Sequence, residues 1–581
     1  MVALVFFILY GVIRITLMFV SLQGAIGEVQ SLRAAVQNKD LGEISRGLGK
    51  AADSIAMADS SASDPIVQLF GFVPIIGGDI RTASIVSSDG RFVLQAAQEV
   101  THVANQLVKS GVGKKPITDR TLVSSLREGM GALDSAVQKL NTDLASVDEA
   151  GLHFGLDSKI KTAKEVVASL AIASSRITPL VQVGTTVIEQ PEKKRWFVSI
   201  QNLAELRGTG GITGAYAVIS TENGKLKLEE YGSDKRLLQI GRIDYKNYPQ
   251  ELRKLWGADL SDWRDINVSA HAPYSAQMLA DGWQQNRGKR VDGVLFIGQG
   301  VVSQLSGAVG PIDARGVVVD KDNAVEFLSK DIYARFTNVQ TKDAVVGELA
   351  SEMFKRLIAG KVSVSGLFAA AANDTTGDRI LAWSRDKSTQ QVFSKYRVSG
   401  EISQSFGPNV AVTLNNAGGN KLDAYTTLKA SYSLGVCNVD TFTGYQGRRS
   451  RVTLDLSNNS PKSGLPAYVD MRLDTDFGEA RPKGSNRELM TVYGPVGSEA
   501  ESITVDGAPG FTINGMDRNR PLWIFDLNML PGTTKKIVLN LVEPINDDND
   551  EKLSGKPSLQ GPVMLNAPSL NSSSTGECSL Q

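Results

Sequence analysis

The sequence is poor in the residues that build most metal and redox sites. Its 581 residues include two cysteines, Cys437 and Cys578, and three histidines. This scarcity argues against a site made of cysteine or histidine ligands, but leaves open a site of oxygen ligands for Mg²⁺ or Ca²⁺. The two cysteines could form one disulfide in an oxidising compartment.

Neither sign of charge is in excess. The chain has 62 Lys and Arg residues against 62 Asp and Glu residues, so its net charge is zero. Proteins that bind nucleic acids usually carry a basic field, which this composition does not provide. We therefore expect no nucleic-acid partner. The hydrophobic content of 42% is typical of a globular protein, and the length predicts about three or four domains.

Long apolar runs are scarce, and the clearest one lies at the N-terminus. Residues 2–22 are apolar apart from Arg14, Thr16 and Ser21, close to the roughly 20 residues that a membrane helix needs. Arg14 costs about 2.5–3.5 kcal/mol on insertion scales, and a span that starts upstream would lower that cost. A cleaved signal peptide is the alternative, but the run is long and no charged segment precedes it, which favours a transmembrane anchor at 1–22. Because no second stretch looks apolar enough to span, we expect the other residues to lie outside the cytoplasm.

Three segments with different sequence patterns, and then a polar tail, follow the anchor. Residues 23–190 carry apolar positions three and four apart, which predicts a helical stalk or bundle whose role is packing and spacing. Residues 191–400 alternate between strand and helix patterns and predict an α/β head. Residues 401–545 carry short alternating strands separated by turn residues, which is typical of an immunoglobulin-like β-sandwich. Residues 546–581 are rich in Asp, Asn, Ser, Pro and Gly and predict a flexible tail.

The head opens with the most informative stretch, residues 195–220. An apolar run at 196–200 predicts a buried strand, and residues 215–220 predict a second one. Between them we expect a loop that carries Glu205, Arg207 and four glycines within residues 208–214. Glycine lets a backbone approach a ligand closely, and backbone N–H groups beside an arginine suit an oxyanion such as phosphate. The alternative is a glycine-rich hairpin turn whose charged side chains are solvated or paired with each other.

Motifs in this stretch and beyond it resemble a known family. Asn202, Ala-Glu-Leu-Arg at 204–207 and Thr-Gly-Gly at 209–211 are similar to the signature of the DUF 4012 family, membrane-anchored envelope proteins of high-GC Gram-positive bacteria. The resemblance continues through the stretches 265–267, 291–294, 310–311, 331–336, 418–423 and 492–495. It departs from the family pattern at Leu203, His271 and Gly298, and an acid is usual where Gly298 stands. The family has no established activity to carry over.

A weaker resemblance is to the LytR-CpsA-Psr phosphotransferases, which move lipid-linked glycopolymers onto the cell wall. It implies that Arg207 binds a pyrophosphate and that the stretch 265–267 stands for their Lys-Ile-Asn triplet. The acid of their Arg-Ser-Asp-Thr motif is missing after Arg207, so the resemblance supports a related fold more than a working active site. If the protein is such an enzyme, Mg²⁺ is a possible cofactor.

We carry two functional hypotheses forward. The first is a membrane-anchored scaffold that binds an anionic or lipid-linked cell-wall glycopolymer, with a cell-wall glycan or a polyprenyl phosphate as its ligand. The second is a phosphotransferase that attaches such a polymer to the wall. Both use the same candidate ligand-binding residues, and we expect Glu205 and Arg207 to share one concave site with Asp265 and Asn267. The full set is Asn202, Glu205, Arg207, Gly210, Gly211, Arg264, Asp265 and Asn267.

Overall fold

The structure is a computed structural model. It describes residues 2–38, 41–74, 76–110, 120–153, 156–246, 248–359, 366, 370–371, 376, 378–440, 446–474, 481–544 and 557–574.

The N-terminal region is helical, as its apolar periodicity predicted. It comprises α1 (Val2–Asn38), α2 (Leu41–Ala62), α3 (Pro65–Phe70), α4 (Gly77–Ser110), α5 (Arg120–Ala145) and α6 (Leu156–Ile188). The long helices share a core to which α1, α2 and α5 contribute Met18, Ile55 and Leu140. Burial of one apolar face per helix is what holds such a bundle together.

Two of these helices are long and apolar enough to cross a membrane. They are α1, over Tyr10–Glu28, and α6, over Leu156–Ile188. The prediction that no second stretch is apolar enough to span a membrane was therefore wrong. Ser, Thr and Lys residues interrupt the apolar run of α6, but its mean hydropathy still reaches that of a candidate span. The α1 segment fits a membrane span or a signal sequence. Helix α6 contributes Ile160 to the bundle core and Val183 and Val187 to the core of the head.

The head is built on a five-stranded mixed sheet in the order β3-β2-β1-β4-β7. Strands β1 and β4 pair in parallel, and the other neighbours are antiparallel. Its strands are β1 (Lys194–Arg207), β2 (Gly210–Glu222), β3 (Lys225–Ser233), β4 (Gly293–Ile297) and β7 (Leu381–Ser384), with a small hairpin of β5 (Ile312–Ala314) and β6 (Val317–Val319). The predicted mixture of strands and helices is confirmed.

Helices cover both faces of this sheet. They are α7 (Asp234–Gln239), α8 (Gln250–Trp256), α9 (Ala272–Arg287), α10 (Gln299–Val309), α11 (Ala324–Glu326), α12 (Ile332–Arg335), α13 (Val339–Ile358) and α14 (Lys387–Lys395), with a 3₁₀ turn at Gly257–Ser261 and a π-helical turn at Phe327–Asp331. On one face Phe197 of β1 packs against Trp283 of α9. On the other, its neighbour Trp196 packs against Phe393 of α14. Successive strand residues point to opposite faces, so both faces of β1 are buried.

The C-terminal region is a two-sheet β-sandwich. One sheet has the order β13-β12-β16-β10-β9-β18 and the other β14-β15-β11-β8-β17. Both sheets contribute to one core, in which Val412 and Phe525 of one sheet join Leu539 of the other. The immunoglobulin-like character of the sandwich stays a prediction. The elements are β8 (Asn409–Asn416), β9 (Thr426–Asp440), β10 (Gln446–Asn458), α15 (Ala467–Asp470), β11 (Asn486–Tyr493), β12 (Glu499–Val505), β13 (Ala508–Pro509), β14 (Ile513–Asp517), β15 (Arg520–Met529), β16 (Thr533–Pro544), β17 (Ser558–Gln560) and β18 (Ser569–Ser574), with a 3₁₀ turn at Leu422–Tyr425.

Part of the predicted flexible tail is in fact paired. Strands β17 and β18 run parallel to β8 and β9 and extend the two sheets. The prediction was wrong over these residues because an open sheet edge offers backbone groups to any sequence that reaches it, and composition does not report that pairing. Cys437 at the end of β9 is disulfide-bonded. Cys578, the second cysteine of the sequence, lies outside the described residues.

Candidate functional site

The predicted glycine loop is a continuous β-hairpin. Strand β1 runs on to Arg207 and β2 begins at Gly210, so the turn is Gly208 and Thr209. The prediction of a loop between the strands was wrong. The glycines are present because segments of backbone approach each other closely here. A Cβ on Gly211 would lie 2.2 Å from the carbonyl oxygen of Asn202, and one on Gly208 would lie 2.3 Å from that of Val268. The glycines therefore remove side chains where three segments of chain meet.

A bulge in this hairpin sends the end of β1 into the sandwich. The pairing register changes between Asn202, which faces Ile212, and Leu206, which faces Gly211. The side chains of Leu203, Ala204 and Leu206 lie in the core of the sandwich. The Leu206 N–H donates to Asp423 at 2.6 Å. One strand thus belongs to the head sheet at its start and to the sandwich core at its end.

Arg207 lies at this junction and is surrounded by oxygen atoms of the protein. Its Nη2 donates to Asp265 Oδ1 at 2.7 Å and to Glu205 Oε1 at 3.1 Å. Its Nη1 donates to the carbonyl oxygens of Leu206 and Asn416, and its Nε to Asp265 Oδ1 and the carbonyl of Arg264. The side chain is 6% exposed. Glu205, Arg207 and Asp265 therefore converge, whereas the predicted concave site shared with Asn267 stays a prediction, because the guanidinium directs all five of its N–H groups at the protein itself.

Glu205 extends the junction to a buried lysine. Its second oxygen accepts a hydrogen bond from the Nζ of Lys421, and both side chains are almost fully buried. Burial lowers the pKa of Lys421, whereas the adjacent carboxylate favours the charged form of the lysine. The network continues through Asn416, whose amide donates to Asp423 at 2.9 Å.

A second buried acid completes the network beside Asp423. Glu488 is fully buried and burial, followed by the charge of Asp423, raises its pKa well above the usual 4.5. Its Oε1 accepts from Asn486 at 2.7 Å, while its Oε2 receives no donated hydrogen bond. A protonated Glu488 that donates to Asp423 accounts for both observations. The junction is a set of buried charges and amides that satisfy one another.

The remaining predicted residues lie around this junction. Asn267 donates to Thr209 Oγ1 at 3.0 Å and to the carbonyl of Gly211 at 2.9 Å, and so fixes the hairpin turn that Gly210 enters at φ 140°. Arg264 forms a two-pronged pair with Asp262, at 2.9 and 3.0 Å, and is partly exposed. The two arginines are therefore in separate ion pairs.

Asn202 faces a different feature, an elongated cavity of about 1270 Å³ in the head. This volume exceeds the roughly 300–1,000 Å³ of pockets for drug-sized ligands. The lining residues include both ends of β3, Lys225 and Ser233, and a nine-residue strand extends roughly 26 Å. The walls come from the sheet and from α6, α10 and α13, and they are mostly apolar, as with Val183, Leu226, Leu295, Val301, Val346, Leu349, Met353 and Phe354.

One end of the cavity is polar and aromatic. Lys342 Nζ lies 5.4 Å from the ring centre of Tyr333 and 5.0 Å from that of Tyr468, within cation–π range. A carboxylate oxygen of Asp343 lies 3.7 Å from the Nζ of Lys342. Burial raises the pKa of Asp234, and the positive charges of Lys342 and Arg264 act against this rise. Lys421 also lines this end. We use the term polar end of the cavity for Asn202, Asp234, Tyr333, Lys342, Asp343, Lys421 and Tyr468.

Asn202 links the polar end to the junction. Its amide donates to the Tyr333 hydroxyl, and its Oδ1 accepts from Gln299 at 2.7 Å and from the Ala204 N–H at 3.0 Å. Its side chain thus joins β1 to α10 and α12. It is the one predicted side chain that both lines the cavity and bonds to its far wall.

The lysines and tyrosines at the polar end were not among the predicted site residues. Tyr333 and Lys421 lie in stretches 331–336 and 418–423, which carry the family resemblance, and that signal could have identified them. Lys342 and Tyr468 carry no such signal. At position 298, where an acid is usual, a Cβ would meet the Asp378 carboxylate at 2.5 Å. In this structure the Asp378 carboxylate accepts a hydrogen bond from the N–H of Gly300, at 3.0 Å, at the start of α10.

The residues available for metal chemistry are few. Within the described ranges, the structure holds no group of three or more His, Cys, Asp or Glu residues that could bind a metal ion. The phosphotransferase hypothesis needs Arg207 to hold a pyrophosphate, and the N–H groups of that side chain are all directed at protein oxygens. The geometry of Arg207 therefore counts against this side chain as a ligand in both hypotheses, and the apolar cavity fits either of them.

Comparison with known proteins agrees with the resemblance found in the sequence. Residues 191–333 match the model of a family described as protein of unknown function (DUF4012). The predicted resemblance is confirmed over this segment of the chain. No curated protein and no solved structure matches the chain significantly. The matched segment contains the β1–β2 hairpin, much of the cavity wall and Tyr333.

Proposed function

We propose that this protein binds a lipid-linked anionic glycan or its polyprenyl phosphate carrier, with the apolar chain in the head cavity. The observation that carries the proposal is the cavity itself, which is elongated, mainly apolar and lined at one end by polar and aromatic side chains. A long hydrocarbon chain is the ligand that such walls favour, because burying apolar surface is the dominant driving force.

The headgroup is assigned to the polar end. Lys342 supplies an ammonium group for a phosphate, and its side chain is only 16% exposed. The rings of Tyr333 and Tyr468, 5.6 Å apart, offer faces for a sugar, and Asp234 and Asp343 offer acceptors for its hydroxyl groups. At the opposite end, Lys225 and Lys227 of β3 also line the cavity, beside Leu226 and Leu228.

Direct binding by the full chain in lipid nanodiscs tests the proposal. The probes are polyprenyl phosphate and the matching polyprenol, and the measurement is binding by native mass spectrometry. Gly184→Trp places a ring inside the cavity, because Gly184 lines it and a Cβ there meets no atom within 4 Å. We expect it to abolish binding of both probes. Gly49→Trp is the matched control, since its Cβ also meets no atom and it lies on α2 away from the cavity.

A second pair of variants tests the headgroup site. Lys342→Gln should weaken the phosphate probe about 10- to 100-fold and leave polyprenol unchanged, because one charged hydrogen bond is lost. Lys355→Gln, 71% exposed on the same helix, should change neither. Equal binding by the Gly184→Trp and Gly49→Trp variants would show that the cavity is not the lipid site.

A further inference from the structure

The polar end of the cavity carries more carboxylates than ammonium groups. Its charged lining residues are Asp234, Lys342, Asp343 and Lys421. Lys421 is bonded to Glu205 of the junction, so three acids meet two lysines and one negative charge is in excess. A headgroup that brought only a phosphate would add to this excess, because like charges repel. The charge balance therefore favours a ligand that carries a positive charge as well.

Asp234 is the acid at this end that lacks a cation. It begins α7, is half-buried, and forms no ion pair within 4.0 Å in the described part of the chain. The Nζ of Lys342 lies 3.7 Å from Asp343. Arg264 acts on Asp234 through its charge, but it is paired with Asp262 at 2.9 Å. A carboxylate that is partly withdrawn from water stays charged at a cost in free energy, which a cation beside it lowers.

Two aromatic rings lie beside these carboxylates. The ring centres of Tyr333 and Tyr468 are 5.6 Å apart. Burial raises the pKa of both phenol groups, and the negative charges of Asp234 and Asp343 add to the rise, so both acids lie close to both rings. Aromatic faces attract cations. The Nζ of Lys342 lies within cation–π range of both rings, at 5.4 and 5.0 Å from their centres, which shows that this end accommodates an ammonium group.

We propose that the headgroup of the ligand carries an ammonium group beside its phosphate, as the sugar of a polyprenyl phosphoryl-hexosamine with a free amino group does. Asp234 binds this ammonium group next to Asp343, and Lys342 binds the phosphate. The positive charge of the ligand then meets the excess carboxylate and its negative charge meets the lysine, so the two sets of charges are complementary. This inference rests on the proposed function and names the class of headgroup that the same site takes.

Native mass spectrometry of the full chain in lipid nanodiscs tests this inference with three probes. They are a polyprenyl phosphoryl-hexosamine, the polyprenyl phosphoryl-hexose that has a hydroxyl in place of the amino group, and polyprenyl phosphate. All samples contain EDTA, so that a divalent cation cannot bridge the carboxylates and the phosphate. We expect the hexosamine lipid to bind about 10- to 100-fold more tightly than the hexose lipid, because a hydrogen bond between charged groups replaces one from a neutral hydroxyl.

Asp234→Asn removes the charge and retains the shape of the side chain, so it should abolish the preference for the hexosamine lipid without weakening polyprenyl phosphate. Glu348→Gln is the matched control on α13, since Glu348 is 46% exposed and pairs with Arg315, and it should retain the preference.

Equal binding of the two sugar lipids by the unsubstituted protein overturns this inference, and so does a preference that persists in Asp234→Asn. In both cases bound polyprenyl phosphate leaves the proposed function standing. If none of the three probes binds, the proposed function is overturned together with this inference, so the two failures are distinguishable.

Discussion

The junction and the cavity lie on successive parts of β1 but have opposite chemistry. At the junction, Glu205, Arg207 and Lys421 are buried charges whose partners are other protein groups. In the cavity, residues such as Val198 and Ile200 leave space between them. The cluster of charged side chains therefore lies where the head meets the sandwich. The open space lies among apolar residues.

The largest effect on stability is expected when the Arg207 guanidinium is removed from the junction. Arg207→Ala should destabilise the protein by about 3–5 kcal/mol, because Asp265 would lose its cationic partner and the buried Glu205 would keep only Lys421. Urea unfolding measures this loss. Arg264→Ala, which breaks a partly exposed pair, should cost about 0–1 kcal/mol. A variant at 207 that keeps its stability but loses ligand would place Arg207 in the binding site instead.

An intermediate effect is expected where the two regions meet. Asn202→Ala should cost about 1–3 kcal/mol, since Gln299 and the Ala204 N–H lose a buried partner. It should also weaken polyprenyl phosphate binding, because the position lines the polar end. Asn514→Ala, at an exposed asparagine of β14, provides the control for stability and binding. Loss of stability with unchanged binding would assign Asn202 to the junction alone.

The raised pKa of Glu488 gives the junction a pH-dependent contribution to stability. Its folded-state pKa is raised above 4.5, so above about pH 4.5 the folded state holds a proton that the unfolded state has released, and stability falls as pH rises towards the folded pKa. Glu488→Gln mimics the protonated acid. Its stability relative to the unsubstituted protein should therefore increase with pH above this value, as thermal unfolding across pH 4–9 would show. Parallel pH curves for the two proteins would contradict a protonated Glu488.

The smallest effect on stability should come from the variant that fills the cavity. Gly184→Trp replaces a glycine inside α6, which is worth a few tenths of a kcal/mol in helix propensity, and its ring enters open space. We expect its unfolding midpoint to stay equal to or slightly above that of the unsubstituted protein while lipid binding is lost. A large destabilisation would mean that this space is packed in solution.

Several features followed from the sequence because they depend on local chemistry. The apolar spacing predicted the helical N-terminal region. Asn223 and Gly224, both with positive φ, form a hairpin turn between β2 and β3, as an Asn-Gly pair typically does. The glycines of residues 208–214 were expected to admit a ligand, and two of them, Gly208 and Gly211, admit another segment of backbone instead. The convergence of Glu205, Arg207 and Asp265 was also predicted, from the glycine content of residues 208–214, although Asp265 lies 58 residues from Arg207 along the chain.

Tertiary structure decided what those residues do. Whether Arg207 faces a ligand or an asparagine carbonyl depends on strand β8, more than 200 residues away along the chain. The cavity could not be predicted, because its apolar lining has the same periodicity as a packed core and the sequence does not state how far apart the elements lie. The sequence by itself therefore determined which faces are apolar and which loops are tight, and only the packing of distant elements decided which faces meet and which enclose a space.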